Sequence, residues 1–482
     1  MKLQTLLRGI AVTASDAAMD AEITGVSYDS RTTKPGDLFV AVSGYATDGH
    51  KYIPLAVERG AAAVLCEHSV PEGTPWVQTP SARAALAQLG CNWYGHPADA
   101  MQMIGVTGTN GKTSITCLVK EILETACGAK VGLIGTIQNM IGGEVLETER
   151  TTPESFELQG LLAQMRDAGC THVVMEVSSH ALALHRVDGI RYQVGAFTNL
   201  TEDHLDFHKT MEEYRKAKAK LFTMCEKGVF NADDPATPQM IADATCEVYT
   251  VGTRDASLLA ENIELGSDHV AMTVREGNTA ADVRVGIPGR FTVSNALVAL
   301  GIVRQLGVSL ADAAKALGRA QGVKGRVEVV PTPGKPFTVL IDYAHTPDGL
   351  ENVLRSVKDY CKGRVILVFG CGGDRDRTKR PIMGEIAVKY ADFVIVTSDN
   401  PRTENPMSII CDILSGITGT KTPYAVEEDR RRAIKVALRC ARKHDMIILA
   451  GKGHETYQIL GTKKVHLDER EEVAAALCEL EK

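Results

Sequence analysis

The chain has 482 residues, of which 44% are hydrophobic and 23% are charged, and its formal net charge at pH 7 is −7. These values are typical of a soluble globular protein of about three domains. The negative charge argues against a general nucleic-acid-binding protein, although a local basic pocket can still bind an anionic substrate. The twelve cysteines include no Cys-x-x-Cys pair and no metal-ligand spacing, which indicates reduced thiols in a cytoplasmic protein.

Residues 1–97 are predicted to form a first, small domain. Its start is apolar, but Arg8 interrupts the run, and the leucines lie at helical spacing, which favours an ordinary first helix over a signal peptide. No apolar run of the chain approaches the roughly 18 residues that span a membrane. The turn Asp29-Ser30-Arg31 precedes a predicted strand at residues 38–42. Such a turn is usually only solvated, so on these residues alone the ligand of the domain stays open.

A glycine-rich loop connects the next predicted strand, residues 101–106, to a predicted helix. Glycines let successive N–H groups face a phosphate, a lysine pairs with the terminal phosphates, and a hydroxyl binds Mg2+. Val106 replaces the first glycine of the strict pattern, so the sequence predicts a variant P-loop, with a simple glycine turn as the alternative. The loop consists of Gly108, Thr109, Asn110, Gly111, Lys112, Thr113 and Ser114.

Residues 151–154 and Glu176 lie in the predicted second domain, residues 98–325. The first stretch, Thr-Thr-Pro-Glu, is typical of a helix start, and either capping or ligand contact would explain it. Glu176 lies near the carboxyl end of a predicted buried strand, where open α/β sheets bind their ligands. A carboxylate there is costly unless it is paired or bound to a metal, so Glu176 is predicted to bind Mg2+.

His204 and Lys218 are two further candidates in this domain. His204 lies among three acidic residues after a buried strand at residues 195–200, which makes a site as plausible as a structural role. Lys218 shares one helical face with Tyr214 and Leu221 and is therefore predicted to point inward. An inward lysine needs a partner or a shifted pKa, unless its stem packs while its amine reaches water.

Residues 326–482 are predicted to form a third, doubly wound α/β domain. The segment before it has alternating strands at 258–287, a helix that contains Asn295, and a basic glycine-rich hinge at 322–326. Each of the four predicted strands of the third domain runs into a polar loop, and the loops together are rich in arginine. This favours a small ligand that carries carboxylates, whereas the lack of Gly-x-Gly-x-x-Gly gives no indication of a dinucleotide.

Three more motifs join the glycine loop, namely Glu-Val-Ser-Ser-His-Ala-Leu at 176–182, Thr-Asn-Leu-Thr-Glu-Asp-His-Leu-Asp at 198–206 and Asp-Tyr-Ala-His-Thr-Pro-Asp at 342–348. In this order they resemble the Mur ligases of bacterial peptidoglycan synthesis over nearly the whole chain. The resemblance implies three α/β domains. These are a small UDP-sugar-binding domain (1–97), a central P-loop-type ATPase domain with a mostly parallel sheet (98–325) and a Rossmann-like, amino-acid-binding domain (326–482).

The resemblance also implies roles for single residues. Lys112, Glu176, His204 and Lys218 would be catalytic, and Mg2+ would be held by Thr113, Glu176, His204 and Lys218. Lys218 matches the family lysine that CO2 carbamylates, and a carbamate would turn an inward cation into an anion that can approach Mg2+. Beyond the loop, ATP would contact Asn295, Arg326, Asp342 and His345. The UDP-muramoyl dipeptide would contact Ser30, Thr151, Thr152, Ser178 and Arg186. Leu184 stands where some relatives have a polar contact, and it is left out of the site.

The implied reaction is ATP-dependent amide-bond formation through an acyl phosphate. Among Mur ligases the chain resembles those that add the third peptide residue to UDP-N-acetylmuramoyl-L-alanyl-D-glutamate. Asp-Asn-Pro-Arg at 399–402 matches the variant used for meso-2,6-diaminopimelate, which is in effect lysine with a second carboxylate, and Arg402 can bind that carboxylate bidentately. The predicted contacts of this amino acid are Arg375, Asp399, Asn400, Pro401, Arg402, Gly451 and Glu455.

Several alternatives remain at this point. In the first alternative, the same ligase adds L-lysine. In the second, the protein is a sister amide ligase, such as folylpolyglutamate synthetase or the ligase that adds D-glutamate. A third is a non-catalytic, nucleotide-gated binding protein on the same fold. The expected partners are the three small-molecule substrates, with no nucleic acid and no membrane span, and the protein is expected to be a cytoplasmic monomer.

Overall fold

The structure, a computed structural model, describes residues 1–44, 47–68, 70–146, 148, 150–320 and 322–480. The chain forms two compact units, one of residues 1–251 with 301–308 and the other of residues 252–300 with 309–482. The domain boundaries predicted at 97/98 and 325/326 stay predictions. Within the described ranges, no helix is long and apolar enough to cross a membrane.

The first unit begins with a five-stranded sheet. Its elements are α1 (Leu3–Leu6), β1 (Ala14–Ser15), β2 (Gly25–Ser27), β3 (Asp37–Val40), α2 (Ile53–Glu58), β4 (Ala63–Cys66), β5 (Trp76–Gln78) and α3 (Ala82–Tyr94). The strand order is β1-β5-β4-β3-β2, and only β1 runs antiparallel to its neighbour. The first helix is shorter than the leucine spacing predicts, because Gly9 adopts a left-handed conformation with φ of 76° soon after Leu6.

The rest of the first unit is built around a second sheet. Its elements are β6 (Gln102–Thr107), α4 (Lys112–Cys127), β7 (Val131–Ile134), β8 (Asn139–Ile141), β9 (Glu144–Leu146), α5 (Ser155–Asp167), β10 (His172–Glu176), α6 (Ser179–Ala183), β11 (Tyr192–Phe197), α7 (Leu205–His208), α8 (Met211–Ala219), β12 (Cys225–Asn231), α9 (Thr237–Ala242) and β13 (Glu247–Gly252). The order is β13-β12-β11-β6-β10-β7-β8-β9, and the six strands from β13 to β7 are parallel.

This parallel arrangement gathers the predicted site residues at one edge of the sheet. Strands β6, β10 and β11 are neighbours, and their carboxyl ends lead into the glycine loop, into residues 177–178 and into residues 198–204, respectively. Ligands of open α/β sheets bind at this edge. The crossover connections therefore bring motifs that are far apart in the sequence close together in space.

The second unit starts with an antiparallel meander and two helices. They are β14 (Leu258–Leu265), β15 (Val270–Glu276), β16 (Thr279–Val285), α10 (Arg290–Gln305) and α11 (Leu310–Leu317), with α10 continuing into the first unit. Strand β15 pairs antiparallel with both β14 and β16. The alternating, half-exposed strands predicted at 258–287 are confirmed.

The second unit ends in a six-stranded sheet. Its elements are β17 (Glu328–Val330), β18 (Thr338–Asp342), α12 (Pro347–Lys358), β19 (Val365–Phe369), α13 (Lys379–Tyr390), β20 (Phe393–Val396), α14 (Pro406–Ser415), β21 (Tyr424–Val426), α15 (Arg430–Cys440), β22 (Met446–Ala450) and α16 (Glu469–Leu480). A separate hairpin, β23 (Tyr457–Leu460) and β24 (Lys463–His466), precedes α16. The sheet order is β17-β18-β22-β19-β20-β21, and only β17 is antiparallel.

Alternate residues of the central strands of this sheet pack against helices on opposite faces. Val365, Leu367 and Phe369 of β19 belong to the core under α12, α13 and α14. Ile366 and Val368 belong to the core under α15 and α16. Strands buried on both faces read as continuous apolar runs, which is why the sequence predicts them well. The predicted α/β class, with a doubly wound C-terminal sheet, is confirmed.

Candidate active site

The glycine loop joins β6 to the first turn of α4, as predicted. Gly108 has φ of 150° and Gly111 has φ of 86°, which only glycine adopts readily, and a Cβ at Gly108 would collide with the Thr198 hydroxyl. Thr198 donates a hydrogen bond to the Asn110 carbonyl at 2.7 Å, and the Asn110 N–H donates to Asn199 Oδ1 at 2.9 Å. The end of β11 thus fixes the curled loop, which the sequence does not reveal.

Lys112 and Lys218 meet at one backbone carbonyl of this loop. Lys112 Nζ lies 2.9 Å from the Gly108 oxygen and 2.8 Å from the Thr109 oxygen, and Lys218 Nζ lies 2.8 Å from the same Gly108 oxygen. Lys218 is only 1% exposed, and its ammonium lies 4.3 Å from the centre of the Tyr214 ring. The alternative in which its amine reaches water is therefore wrong. Burial, aided by the nearby Lys112 charge, holds the pKa of Lys218 well below its usual value.

Glu176 ends β10 and is also 1% exposed. Its carboxylate accepts hydrogen bonds from the Thr136 N–H at 2.9 Å and from the Thr136 hydroxyl at 3.0 Å. The same hydroxyl lies 3.0 Å from Thr151 Oγ1. No ion pair neutralises Glu176 among the described residues, which leaves a buried carboxylate that suits a hard cation.

Thr152, Ser178 and Arg186 form a cluster beside Glu176. The buried Thr152 hydroxyl donates to the Glu176 carbonyl at 2.8 Å and accepts from the Ser178 N–H at 3.2 Å. Arg186 donates to the Thr152 carbonyl at 3.2 Å and forms an ion pair with Glu154 at 2.7 Å. Helix α5 begins at Ser155 without a side-chain cap, so capping does not explain Thr151 and Thr152.

His204 lies in a cluster of aromatic rings. It has a left-handed backbone with φ of 53°, and its ring centre lies 4.8 Å from that of His180 and 6.1 Å from that of Tyr214. His204 Nε2 also lies 3.4 Å from a carboxylate oxygen of Asp203. Within the described ranges, no group of three or more histidine, cysteine, aspartate or glutamate side chains forms a metal site, so Mg2+ binding by His204 stays a prediction.

Ser30 is buried at the wall of a cavity of ≈ 660 Å3 in the first unit. Phe39, Val42 and Leu86 give the cavity an apolar side. Arg31, Arg83, Arg150 and Glu154 supply charges. An apolar wall with a few basic groups fits a base and an anionic group. Arg83 and Arg150 carry no signal in the sequence that would assign them to the cavity.

The four predicted ATP contacts beyond the glycine loop belong to the second unit, so their approach to Lys112 stays a prediction. Asp342 ends β18, and its two oxygens accept from the Val327 and Ala344 N–H groups, each at 2.8 Å. Burial raises the pKa of this carboxyl. Arg326 lies 5.5 Å from the Tyr343 ring centre, and its Nε has no hydrogen-bond partner in the described part of the chain. His345 Nδ1 lies 2.9 Å from the Tyr343 carbonyl, and Asn295 is buried in α10.

The predicted amino-acid contacts converge at the carboxyl ends of β19, β20 and β22. A Cβ at Gly451 would lie 2.6 Å from Asp399 Oδ2, so a glycine is needed where β22 ends. Asn400 Nδ2 donates to Glu455 Oε2 at 2.9 Å. Pro401 precedes Arg402, whose backbone is left-handed with φ of 51° and whose Nη1 donates to the Gly373 carbonyl at 2.9 Å.

Residues around this loop hold it in place. The Arg402 N–H donates to the Ile459 carbonyl at 3.1 Å, so the β23–β24 hairpin supports the strained backbone. Arg375 is exposed, and its guanidinium donates to the neighbouring Asp374 carbonyl. Lys452, which none of the sequence motifs singles out, is buried between Asn400 and Glu455. A lysine between two glycines at the end of a buried strand was the available signal.

Three family models match consecutive parts of the chain. They are the Mur ligase family catalytic domain at residues 22–94, the Mur ligase middle domain at 106–303 and the Mur ligase glutamate ligase domain at 325–453. Together they reach from the first sheet to the polar loops of the last one.

Curated relatives match over the full length. The UDP-N-acetylmuramoyl-L-alanyl-D-glutamate--2,6-diaminopimelate ligase of Caldanaerobacter subterraneus subsp. tengcongensis is 50% identical, with 100% of each chain covered. The protein of the same name from Clostridium tetani is 45% identical, also with 100% of each chain covered.

Solved structures agree in fold. A structure of UDP-N-acetylmuramoyl-L-alanyl-D-glutamate--2,6-diaminopimelate ligase matches with a TM-score of 0.75 and 31% identity, covering 100% of this chain and 99% of the other. The MurF ligase of Thermotoga maritima in complex with ADP matches with a TM-score of 0.62 at 19% identity, covering 96% and 99%, and it supports the fold alone. On the full-length identity of its relatives, the chain belongs to the Mur ligase family.

Proposed function

We propose that this chain is an ATP-dependent ligase that adds meso-2,6-diaminopimelate to the D-glutamyl residue of UDP-N-acetylmuramoyl-L-alanyl-D-glutamate. The observation that carries the proposal is 50% identity, over the full length of both chains, to a relative with this activity in its name. The polar loops around Arg402 and the P-loop supply the chemistry that the reaction requires. The reaction belongs to cytoplasmic peptidoglycan precursor synthesis, and we propose a monomer that binds only its small-molecule substrates.

We assign ATP and the two parts of the UDP-linked substrate to separate sets of residues. We assign the uridine moiety to the cavity beside Ser30, where Phe39 and Leu86 offer apolar surface and Arg83 offers charge. The muramoyl dipeptide is assigned to Thr151, Thr152, Ser178 and Arg186. ATP is assigned to the glycine loop, with Asn295, Arg326, Asp342 and His345 completing its site.

The donor set of the first unit fits Mg2+. Glu176 is a buried carboxylate without a cationic partner among the described residues, and Thr113 offers a hydroxyl in the first turn of α4. We propose that these residues, with His204 and carbamylated Lys218, hold the metal. When bound, Mg2+ supplies positive charge that offsets the phosphate charge.

The burial of the Lys218 amine supports the proposed carbamate. A lowered pKa leaves part of the amine neutral, and only the neutral amine attacks CO2. The neutral amine forms a new N–C bond with CO2, one C=O π bond opens onto oxygen, and the nitrogen releases one proton. Counted from the ammonium form, two protons leave and a buried cation becomes an anion. The anion is then attracted by Lys112, whose ammonium contacts the same Gly108 carbonyl.

The chain's own residues then carry the reaction as follows. The N–H groups of the glycine loop and the Lys112 ammonium bind the phosphates, and the D-glutamyl carboxylate, oriented by Arg186, attacks the γ-phosphate. ADP leaves, and an acyl phosphate remains. The Asp399–Arg402 loop and Glu455 bind the amino acid, whose reacting amine attacks the acyl carbon in its neutral form. The tetrahedral intermediate releases the amine proton to solvent and collapses to an amide with phosphate as the leaving group. Closure of the third domain excludes water from the acyl phosphate.

The second candidate function is the same ligase with L-lysine as the added amino acid. Arg402 opposes it, because lysine lacks the far carboxylate and would place an ammonium near this guanidinium. A non-catalytic binding protein is a weaker candidate, since Lys112, Glu176 and Lys218 are all present.

The test is phosphate release with ATP, Mg2+ and UDP-N-acetylmuramoyl-L-alanyl-D-glutamate, comparing meso-diaminopimelate with L-lysine. Release with diaminopimelate alone is the expected result. Release with lysine alone would keep the ligase and reject the assignment of the 399–402 loop. No release with either amino acid would favour the binding protein.

A further inference from the structure

Lys452 is a fully buried cation whose only hydrogen-bond partners among the described residues are two predicted substrate contacts. It is 0% exposed, and its Nζ donates to Asn400 Oδ1 at 3.0 Å and to Glu455 Oε2 at 2.9 Å. The glycines on either side, Gly451 and Gly453, both have positive φ, which lets the chain turn the lysine under the loop.

The contact with Lys452 fixes the orientation of the Asn400 amide. Asn400 Oδ1 accepts from Lys452 and also from the Ile459 N–H at 2.9 Å, so the amide oxygen is held by two donors. The amide nitrogen must therefore point the other way, where it donates to Glu455 Oε2 at 2.9 Å. One amide N–H of Asn400 remains for a ligand.

Glu455 is fixed in the same way. Both of its hydrogen bonds use Oε2, one from Asn400 and one from Lys452, which leaves Oε1 for a ligand. Glu455 is half-buried, and the ion pair with the fully buried Lys452 at 2.9 Å fixes its carboxylate. Lys452 thus holds Glu455 at a set distance from the 399–402 loop.

We propose that Lys452 is a positioning residue for the amino-acid substrate. It acts through Asn400 and Glu455, which present an amide N–H to a carboxylate and a carboxylate oxygen to an ammonium of the incoming amino acid. This inference rests on the proposed ligase function. It adds to that function a buried cation that contacts no substrate directly and yet sets the affinity for the incoming amino acid.

The experiment compares Lys452→Met with Lys463→Met, a control that removes an exposed lysine of the neighbouring hairpin. Two assays are run on the full-length protein. The first is phosphate release at varied meso-diaminopimelate. The second is trapping of the acyl phosphate by hydroxylamine, which needs only ATP, Mg2+ and the UDP-linked substrate. Activity of the unmodified protein in both assays tests the ligase function separately.

We expect Lys452→Met to raise the KM for diaminopimelate at least about tenfold, while acyl-phosphate trapping stays within about twofold of the unmodified protein. Lys463→Met should change neither. An unchanged KM for diaminopimelate in Lys452→Met, with an active unmodified protein, would overturn the proposal. If Lys452→Met loses both activities, Lys452→Gln, which retains a donor, is measured in its place. Loss of both there assigns Lys452 to folding alone and also overturns the proposal.

Discussion

Replacement of Arg402 by alanine tests the predicted specificity for diaminopimelate. In the structure Arg402 uses Nη1 for the Gly373 and Asn400 carbonyls, so Nε and Nη2 remain for the far carboxylate of the amino acid. A hydrogen bond to a charged group contributes about 1.5–3 kcal/mol. Because Arg402 is half-buried, we take the low end, about 1.5 kcal/mol, for each of two bonds, which gives a loss of about 3 kcal/mol, or roughly 150-fold in kcat/KM.

The assay is phosphate release at saturating ATP and UDP-linked substrate, with diaminopimelate and L-lysine titrated separately. Arg402→Ala should lower kcat/KM for diaminopimelate by this factor and leave the KM for ATP unchanged. Use of L-lysine should not fall, since lysine has no carboxylate for this arginine. Arg377→Ala is the matched control, because Arg377 is exposed and pairs with Asp412. Diaminopimelate kinetics that stay unchanged in Arg402→Ala would refute the assignment.

Three further outcomes are expected. Glu176→Gln keeps an acceptor for Thr136 but loses the charge, so we expect at least about a tenfold rise in the Mg2+ concentration for half-maximal phosphate release. Arg186→Lys loses the planar guanidinium that contacts both Thr152 and Glu154. We therefore expect the KM for the UDP-linked substrate, measured from initial rates, to rise about tenfold. The Arg380 guanidinium lowers the pKa of Glu404 from 4.5 to about 2, so this carboxylate stabilises the fold above its unfolded pKa, and that stability is lost as pH falls toward about 2. Glu404→Gln should therefore flatten the fall in melting temperature at acidic pH, and an equally steep fall would contradict this.

Local sequence patterns predicted the strands and the loops that end them. Apolar runs such as 365–369 are buried on both faces of a parallel sheet, and the glycine loop is shaped by backbone angles that few residues other than glycine adopt. Lys218 was predicted inward from helical spacing alone, and its burial is confirmed.

Contacts between distant parts of the chain were not predictable in this way. Lys452 and Asn400 are 52 residues apart, and nothing in the local pattern of either indicates that they meet. The two backbone N–H groups that satisfy Asp342 also depend on how the chain folds back at Val327. Strand periodicity gives the face of a side chain but not the partner that the neighbouring strand brings to it.

The closeness of Lys112 to Lys218 provides a test of whether Lys218 is carbamylated. Both ammonium groups contact the Gly108 carbonyl, at 2.9 Å and 2.8 Å, so they lie within about 6 Å of each other. Two positive charges at this separation repel by about 3 kcal/mol at an effective dielectric constant of 20, and conversion of Lys218 to a carbamate reverses the sign.

Lys112→Met should therefore reduce carbamylation in two ways, by raising the pKa of Lys218 and by removing the cation that attracts the carbamate. The measurement is the 13C signal of the carbamate in protein equilibrated with 13C-bicarbonate. Lys218→Ala, which lacks the amine, identifies the signal, and its ligase activity should be partly restored by a short-chain carboxylic acid. A carbamate signal in Lys112→Met as strong as in the unmodified protein would show that burial alone, and not the neighbouring charge, controls the reaction of Lys218 with CO2.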